Sequence, residues 1–176
     1  ANRTGRPFTG DYAGVLLYET LAAFGFAHGT YGAAADDGLM LRDCRIVNAV
    51  RCVPPQNRPT PREVAQRITF LQAELAAMPH LRVILALGVV AHQAVLRAVA
   101  LPASRRPFRH GAIAPLPAGP LLADSYHVSR YNTSTRRLTP EMFEAVIRGI
   151  VAALATAPAA PAPSPPPVRR SPRPAR

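Results

Sequence analysis

Lysine is absent from this 176-residue chain, and cysteine occurs only twice. Without lysine, no side chain can form a Schiff base with a carbonyl carbon, so covalent chemistry of that kind is excluded. Two cysteines do not make a disulfide framework. If the segment between Cys44 and Cys52 were extended, they would lie roughly 26 Å apart, far beyond bridging distance. We therefore expect a reducing, cytoplasmic setting.

Long apolar runs are also missing, and none is long enough to span a membrane. The length is that of one domain with an appendage, enough for a hydrophobic core. Positive charge is what the chain has in excess: 21 basic residues, all of them arginine, against 10 acidic ones, for a formal net charge of +11. Arginine grips phosphate bidentately, but net charge alone does not separate nucleic acid from a membrane surface or an acidic protein.

Composition divides the chain at about residue 156. Residues 156–176 hold eight of the 20 prolines and four arginines, and no acidic residue. This composition is typical of a disordered basic tail. The remaining residues, 1–155, form the predicted folded domain, which stays basic without the tail.

Hydrophobic periodicity predicts strands that alternate with helices. Apolar runs of strand length lie at 46–50, 82–87 and 121–126, and helical spacing is found at about 15–24, 61–78, 89–99 and 139–154. In the last helix, four residues are expected to face inward: Phe143, Val146, Ile147 and Ile150. Strand–turn–helix order repeated in this way predicts an α/β fold with parallel strands and helical crossovers.

Polar side chains lie near the carboxyl ends of two predicted strands, which is where ligands sit in such sheets. Asn48 offers a donor and an acceptor that suit a base edge, although a buried amide satisfied by backbone is the alternative. His127 comes after the last strand with Ser129 and Asn132 close behind, and is a candidate for catalysis. His92 lies among apolar residues of a helix, which favours a structural role.

Four segments together resemble a known family. They are NRTGRPFTGDYAG at 2–14, NAVRCVPPQNRPTPRE at 48–63, VILALGVVAH at 83–92 and YHVSRYNTSTRRLTPEMFEAV at 126–146. They resemble uracil-DNA glycosylases of the type 4/5 branch, and type 5 most closely because Gly-Asp follows Phe-Thr. The resemblance runs from Ala1 to about Val151. It implies a three-layer α-β-α fold with a central parallel sheet, here lacking the family's N-terminal strand.

The resemblance also implies an activity and a role for each matching residue. Asp11 matches the acid that positions or activates water, and His127 the histidine that stabilises charge on the departing base. Phe8 matches the aromatic residue that stacks on extruded uracil, and Asn48 the amide that hydrogen-bonds its polar edge. The loop that would grip phosphate and wedge into the vacated stack comprises Ser129, Arg130, Tyr131 and Asn132. The implied enzyme is a monomeric, monofunctional glycosylase that hydrolyses the N-glycosidic bond of uracil in DNA and so initiates base excision repair, with other deaminated bases as further candidate substrates.

The chain departs from the family pattern at the iron–sulfur ligands. Relatives carry four cysteines for a 4Fe-4S cluster, of which Cys52 matches the third, while Arg67 stands at the fourth. The first two would lie upstream of Ala1. We therefore expect this chain to bind little or no iron. The cluster is a property that the resemblance assigns to the family.

Two further departures leave the function open. The family's first strand and its Gly-Leu-Ala-Pro turn are absent, and Val128 replaces the proline usual after the motif histidine. We expect a truncated or diverged member. The alternatives are a nucleic-acid-binding protein of glycosylase fold without catalysis, and a basic scaffold acting through its tail. The scaffold would need neither Asp11 nor His127.

Overall fold

The structure is a computed structural model that describes residues 6–10, 12–48, 61–117 and 119–156, with backbone only for 61–67. Within these ranges the helices are α1 (Tyr12–Ala23), α2 (Pro61–Ala76), α3 (Val89–Ala98), α4 (Arg130–Ser134) and α5 (Pro140–Thr156). The strands are β1 (Ala27–His28), β2 (Met40–Leu41), β3 (Val83–Leu87), β4 (Ile113–Pro115) and β5 (Leu121–Ser125). No helix in the described part of the chain is long and apolar enough to cross a membrane.

The central sheet has the strand order β3-β5-β4. β3 and β5 are parallel, with Val83 opposite Leu121 and Leu87 opposite Ser125, as the strand–helix order predicts. β4 is antiparallel to β5, so the sheet is mixed. In residues 101–120, where neither a strand nor a helix was predicted, the structure has a short 3₁₀ helix (Ala103–Arg105) and the strand β4. This strand is only three residues long and ends in Pro115, which cannot donate to a ladder and therefore suits an edge.

Helices cover both faces of this sheet. Side chains of residues 83, 85, 87 and 123 pack on one face in a cluster with α1 and α5. Residues 84, 86 and 122 pack on the opposite face with α2 and α3. Because successive strand residues point to opposite faces, this alternation gives the three-layer α-β-α architecture that the resemblance implies. The four residues of α5 expected to face inward are all buried: Phe143, Val146, Ile147 and Ile150.

The segment around Asn48 corrects one prediction. Residues 44–48 form no strand, so the strand predicted at 46–50 is wrong for its described part, and residues 49–50 lie outside the described ranges. Ile46 still packs against the cluster between the sheet and α5. A short apolar run indicates burial, and here burial comes without strand pairing.

The end of the folded domain also differs slightly from the prediction. α5 continues through Thr156, which the composition assigned to the tail. Helix α1 begins at Tyr12, three residues before the predicted start. Residues 157–176, the rest of the predicted tail, lie outside the described part of the chain.

Candidate active site

The candidate site lies where β3 and β5 end. The N–H of Gly88, the residue after β3, donates to the carbonyl oxygen of Ser125 at 2.7 Å. Gly88 has a φ of 91°, and a Cβ placed on it would lie 3.3 Å from the Cβ of His127. Glycine therefore supplies both the left-handed backbone and the space that His127 needs beside β3.

Phe8 meets His127 at this edge of the sheet. Their ring centroids are 5.7 Å apart, with the ring planes tilted by 52°. That separation is within the range of favourable aromatic contacts. The structure thus brings together two residues, from opposite ends of the domain sequence, that the resemblance assigned to one site.

The backbone of Phe8 is held in an unusual conformation. Its φ is 59°, a left-handed value that costs a non-glycine residue about 1–2 kcal/mol. Two tyrosines fix the loop: the hydroxyl of Tyr31 donates to the carbonyl of Phe8 at 3.1 Å, and that of fully buried Tyr18 donates to the carbonyl of Pro7. Their rings stack with centroids 4.9 Å apart. Several independent contacts of this kind can hold a residue in a strained backbone conformation.

Arg6 ties the same loop to residues 32–39. Its guanidinium donates to both carboxylate oxygens of Asp37, with Nη1 2.9 Å from Oδ1. It also donates to Thr9 Oγ1 and to the carbonyl oxygen of Ala34. It lies over the ring of Tyr18, 5.2 Å from the centroid. The Arg6 hydrogen bond holds the pKa of Asp37 well below its usual range, and the same pairing raises the pKa of Arg6.

Sequence reasoning missed this cluster. Tyr18 lies in a segment whose spacing predicts a helix, and the structure has that helix, whereas no helix or strand was predicted at Asp37. Nothing in the local sequence indicates that the two side chains converge on the loop of Phe8. Helix α1 also passes very close to it, because a Cβ on Gly14 would overlap the carbonyl oxygen of Phe8 and the hydroxyl of Tyr31.

The His127 loop is held mainly by near neighbours. The side-chain amide of Asn132 donates to the carbonyl of His127 at 2.8 Å. Ser129 is the N-cap residue of α4, and its hydroxyl accepts the backbone N–H of Asn132 at 3.4 Å. Val128, between His127 and Ser129, is fully buried. Arg130 is exposed at the start of α4.

Tyr131 follows Arg130 and is 71% exposed. Two residues expected to contact DNA are therefore at the surface, while Ser129 and Asn132 also serve the loop itself. Asn48 is half-buried, two residues after Ile46, which packs in the same cluster as Phe8. Asp11 and Cys52 lie outside the described residues, so the structure does not place them.

His110, which the sequence analysis left aside, joins this edge of the sheet. Its ring is parallel to that of Tyr126, with centroids 4.6 Å apart, and its Nδ1 accepts the backbone N–H of Tyr126 at 3.1 Å. The guanidinium of Arg137 lies 4.8 Å from the centroid of the Tyr126 ring. Tyr126 directly precedes His127 in the chain. The sequence analysis did not predict β4, and it is the pairing of β4 with β5 that brings His110 beside Tyr126.

The structural role predicted for His92 is confirmed. Its side chain is buried, with Nδ1 2.8 Å from Asp124 Oδ1 and Nε2 2.9 Å from the carbonyl oxygen of Arg106. Because that carbonyl only accepts, Nε2 carries a proton, and His92 and Asp124 share another between them. Both ring nitrogens are thus used inside the fold.

A groove of about 630 Å³ runs between α1 and the start of α5. It is lined by Glu19, Glu141 and Glu144, and neither Phe8 nor His127 lies in its wall. Three glutamates against one arginine, Arg136, leave this groove with a net negative charge, which is unfavourable for phosphate. The edge of the sheet therefore remains the better candidate site.

Comparison with known families matches residues 1–150 to the uracil DNA glycosylase superfamily. The chain belongs to this superfamily. It is 48% identical over 147 residues to the type-5 uracil-DNA glycosylase of Thermus thermophilus, and 43% identical over 150 residues to that of Mycobacterium leprae. Each match covers 84% of this chain, and 67% and 66% of the two relatives. The type-4 enzyme of Thermotoga maritima is 40% identical over 91 residues, or 51% of this chain and 40% of that protein.

This chain spans about two thirds of the length of the type-5 glycosylases it matches. The predicted resemblance to the type 4/5 branch of the glycosylase superfamily is confirmed. The match also confirms the fold, since the superfamily has the three-layer α/β arrangement described above.

The cysteines of this glycosylase-family chain do not fit the cluster that the resemblance implies. Two cysteines are too few for four thiolate ligands. The thiol of Cys44 donates to the carbonyl of Phe26 at 3.3 Å, and burial raises its pKa, which favours the thiol over the thiolate. Among the residues with described side chains, no group of three or more His, Cys, Asp or Glu is placed to hold a metal.

Proposed function

We propose that residues 1–155 form the catalytic domain of a monofunctional uracil-DNA glycosylase, which hydrolyses the N-glycosidic bond of uracil in DNA and so initiates base excision repair. The observation that carries the proposal is the contact between Phe8 and His127 at the carboxyl edge of the sheet. The similarity to type-5 glycosylases supports the same assignment. We propose a monomer that acts in the cytoplasm.

Recognition begins when uracil leaves the base stack. Extrusion costs a few kcal/mol, and stacking on an aromatic ring returns about 1–3 kcal/mol per base. Phe8 supplies that ring. Asn48 donates to and accepts from the polar edge of the base, which gives the pocket its preference for uracil.

Bond cleavage places negative charge on uracil and positive charge on the sugar. The C1′–N1 bond breaks, and N1 keeps the electron pair. His127 donates a hydrogen bond to a uracil carbonyl oxygen, and such a donor contributes on the order of 3 kcal/mol when the charge develops in the transition state. Asp11 steers water, whose oxygen bonds to C1′ while its proton passes to the carboxylate. No lysine is present to form a Schiff base, so strand cleavage by β-elimination does not follow.

DNA is gripped through its phosphates by the α4 loop. Arg130 and Tyr131 are exposed there, and Ser129 and Asn132 stand beside them in the loop. Contacts to phosphate fix the position of the duplex but carry no base preference. Tyr131 is the side chain available to enter the space that the base vacates.

Single-turnover excision from a uracil-containing oligonucleotide tests the proposal, with His127→Ala compared with His80→Ala, an exposed histidine in a turn far along the sequence. We expect His127→Ala to slow excision by about two orders of magnitude while DNA affinity changes little, because the phosphate contacts remain. His80→Ala should match the wild-type chain. Borohydride should trap no covalent adduct.

Two results would overturn the proposal. Tight binding of DNA without any uracil release would favour a nucleic-acid-binding protein of the same fold. A hundredfold loss of DNA binding by His127→Ala with excision intact would make His127 a DNA or fold contact.

A further inference from the structure

The end of β5 is fixed from both sides by hydrogen bonds, and one of these bonds is accepted by a side chain. On the β3 side, the N–H of Gly88 donates to the carbonyl of Ser125 at 2.7 Å. On the β4 side, the N–H of Asp124 donates to the carbonyl of Ala112 at 2.9 Å. Two residues further along each segment, Nδ1 of His110 accepts the N–H of Tyr126 at 3.1 Å. The imidazole thus replaces the next backbone acceptor of the ladder.

This hydrogen bond defines the protonation state of His110. Nδ1 accepts, so the neutral ring carries its proton on Nε2. A proton added to Nδ1 would face the N–H of Tyr126, and the bond would be lost. Burial lowers the pKa of His110, which favours the neutral ring.

Aromatic and cationic groups pack around the stacked rings of His110 and Tyr126. Tyr126 stacks on its ring, and the guanidinium of Arg137 lies 4.8 Å from the centroid of Tyr126. Phe108 is tilted against Tyr126 with centroids 6.0 Å apart. The neighbouring carboxylate, Asp124, is already engaged, since its Oδ1 meets His92 and its Oδ2 accepts the N–H of Arg109.

We propose that His110 is a positioning residue that sets the direction in which His127 leaves β5. The inference rests on the function proposed for His127. Tyr126 is the last residue held to the sheet before His127, so its N–H determines where the following peptide begins. A misplacement of about 1 Å at a catalytic group costs up to about a hundredfold in rate. His110 acts through Tyr126 and need not touch the substrate.

Two substitutions separate the acceptor of His110 from its ring. His110→Phe keeps a ring to stack on Tyr126 but removes the acceptor. His110→Asn keeps an acceptor near the position of Nδ1, without a titrating group and without the ring. We expect His110→Phe to lower single-turnover excision about tenfold, the effect of one lost hydrogen bond, with DNA affinity unchanged. His110→Asn should stay close to wild type.

The pH dependence provides a second activity readout. As the pH falls below 6.5, the ordinary histidine pKa, and then through the lowered value of His110, the wild-type chain should lose the bond to Tyr126, whereas His110→Asn should keep it. The ratio of wild-type to His110→Asn rates should therefore fall at acid pH. Other titrating groups cancel in this ratio.

An NMR measurement keeps the inference separate from the proposed function. In the wild-type chain the Tyr126 amide should exchange slowly with solvent, and His110→Phe should speed its exchange and shift the ring signals of His127. If these changes occur but the wild-type chain releases no uracil, the positioning holds and the proposed function fails. If His127 signals do not shift in His110→Phe, or if both variants lose activity in proportion to a lower melting temperature, the positioning role is overturned.

Discussion

The loop that carries Phe8 and the loop that carries His127 meet, yet different kinds of contact hold them. Phe8 depends on side chains far away in sequence, from Tyr18, Tyr31 and Asp37. His127 follows a strand of the central sheet, and the side chain that holds its carbonyl, Asn132, is five residues away. One side of the candidate site is fixed by several long-range side-chain contacts, and the other by backbone pairing, by the local contact of Asn132 and by one more distant side chain, His110.

Because different contacts hold the two loops, we expect substitutions to affect stability and activity unequally on the two sides of the site. Side-chain contacts can be removed one at a time, and each loss releases part of the strain stored in the left-handed backbone of Phe8. Backbone bonds at the end of β5 survive most substitutions. The Phe8 side should therefore show the larger effects.

The largest effect is expected from Gly14→Ala in α1. Alanine normally stabilises a helix interior by up to about 1 kcal/mol over glycine. Here its Cβ overlaps the carbonyl of Phe8 and the hydroxyl of Tyr31, and overpacking costs about 1–3 kcal/mol. We expect a net loss of stability by thermal or urea unfolding, together with a loss of uracil excision.

Gly149→Ala in α5 is the matched control. Its Cβ would meet only the end of the Ile113 side chain, at 3.0 Å, which can move. We expect no loss of excision and little change in stability. Equal stabilisation by both alanines would contradict the close packing of α1 on the Phe8 loop.

Loss of the tyrosine hydroxyls should have the next largest effect. Tyr18→Phe leaves the carbonyl of Pro7 without its buried donor, at a cost of about 1–2 kcal/mol. Tyr31 is half-buried, so water can replace its hydroxyl, and Tyr31→Phe should cost less. Urea unfolding and single-turnover excision measure both variants. A larger loss from Tyr31→Phe would reverse the expected order.

On the His127 side, we expect a smaller effect from Asn132→Ala. It removes the side-chain bond to the carbonyl of His127, worth about 1 kcal/mol, while the backbone carbonyl of residue 132 still accepts from Leu138 at 3.0 Å. Excision should fall more than stability does. Thr135→Ala, which removes an exposed hydroxyl bonded within the same turn, should leave excision unchanged. Equal effects of the two would show that the Asn132 bond is not specific to His127.

The smallest effect is expected from mild acid on the Phe8 side. The pKa of Asp37 lies below its ordinary value of 3.8, so its stabilisation is complete above that pH and is lost only as the pH falls through the lower folded value. The difference in melting temperature between Asp37→Asn and wild type should stay constant from pH 7 to 5 and shrink below pH 4. A difference that vanished by pH 5 would mean that the pairing with Arg6 is weak.

The same contrast explains what could be predicted from sequence. The inward face of α5 and the parallel strands β3 and β5 follow from local periodicity, and the structure contains them. A residue after a strand, such as His127, can be located by the same rule. The bidentate pairing of Arg6 with Asp37 has no local pattern, because its strength depends on two loops meeting in three dimensions. The family resemblance indicated Phe8, but not what holds it.

Two errors have related causes. Residues 46–47 are apolar enough to belong to a strand, but only a pairing partner makes one, and periodicity does not identify partners. β4 is the opposite case, a strand of three residues ending in proline that a pattern search passes over. Missing β4 also meant missing His110, since only the pairing of β4 with β5 places it beside Tyr126.

The composition of β4 also bears on how copies of this protein behave in concentrated solution. An edge strand usually offers unpaired peptide groups on which another chain can add as a further strand and start aggregation. Pro115 has no N–H to offer, and the guanidinium of Arg106 occupies the carbonyls of Ala114 and Pro115, at 2.8 Å each. These two features disfavour growth of the sheet by strand addition at Ala114 and Pro115.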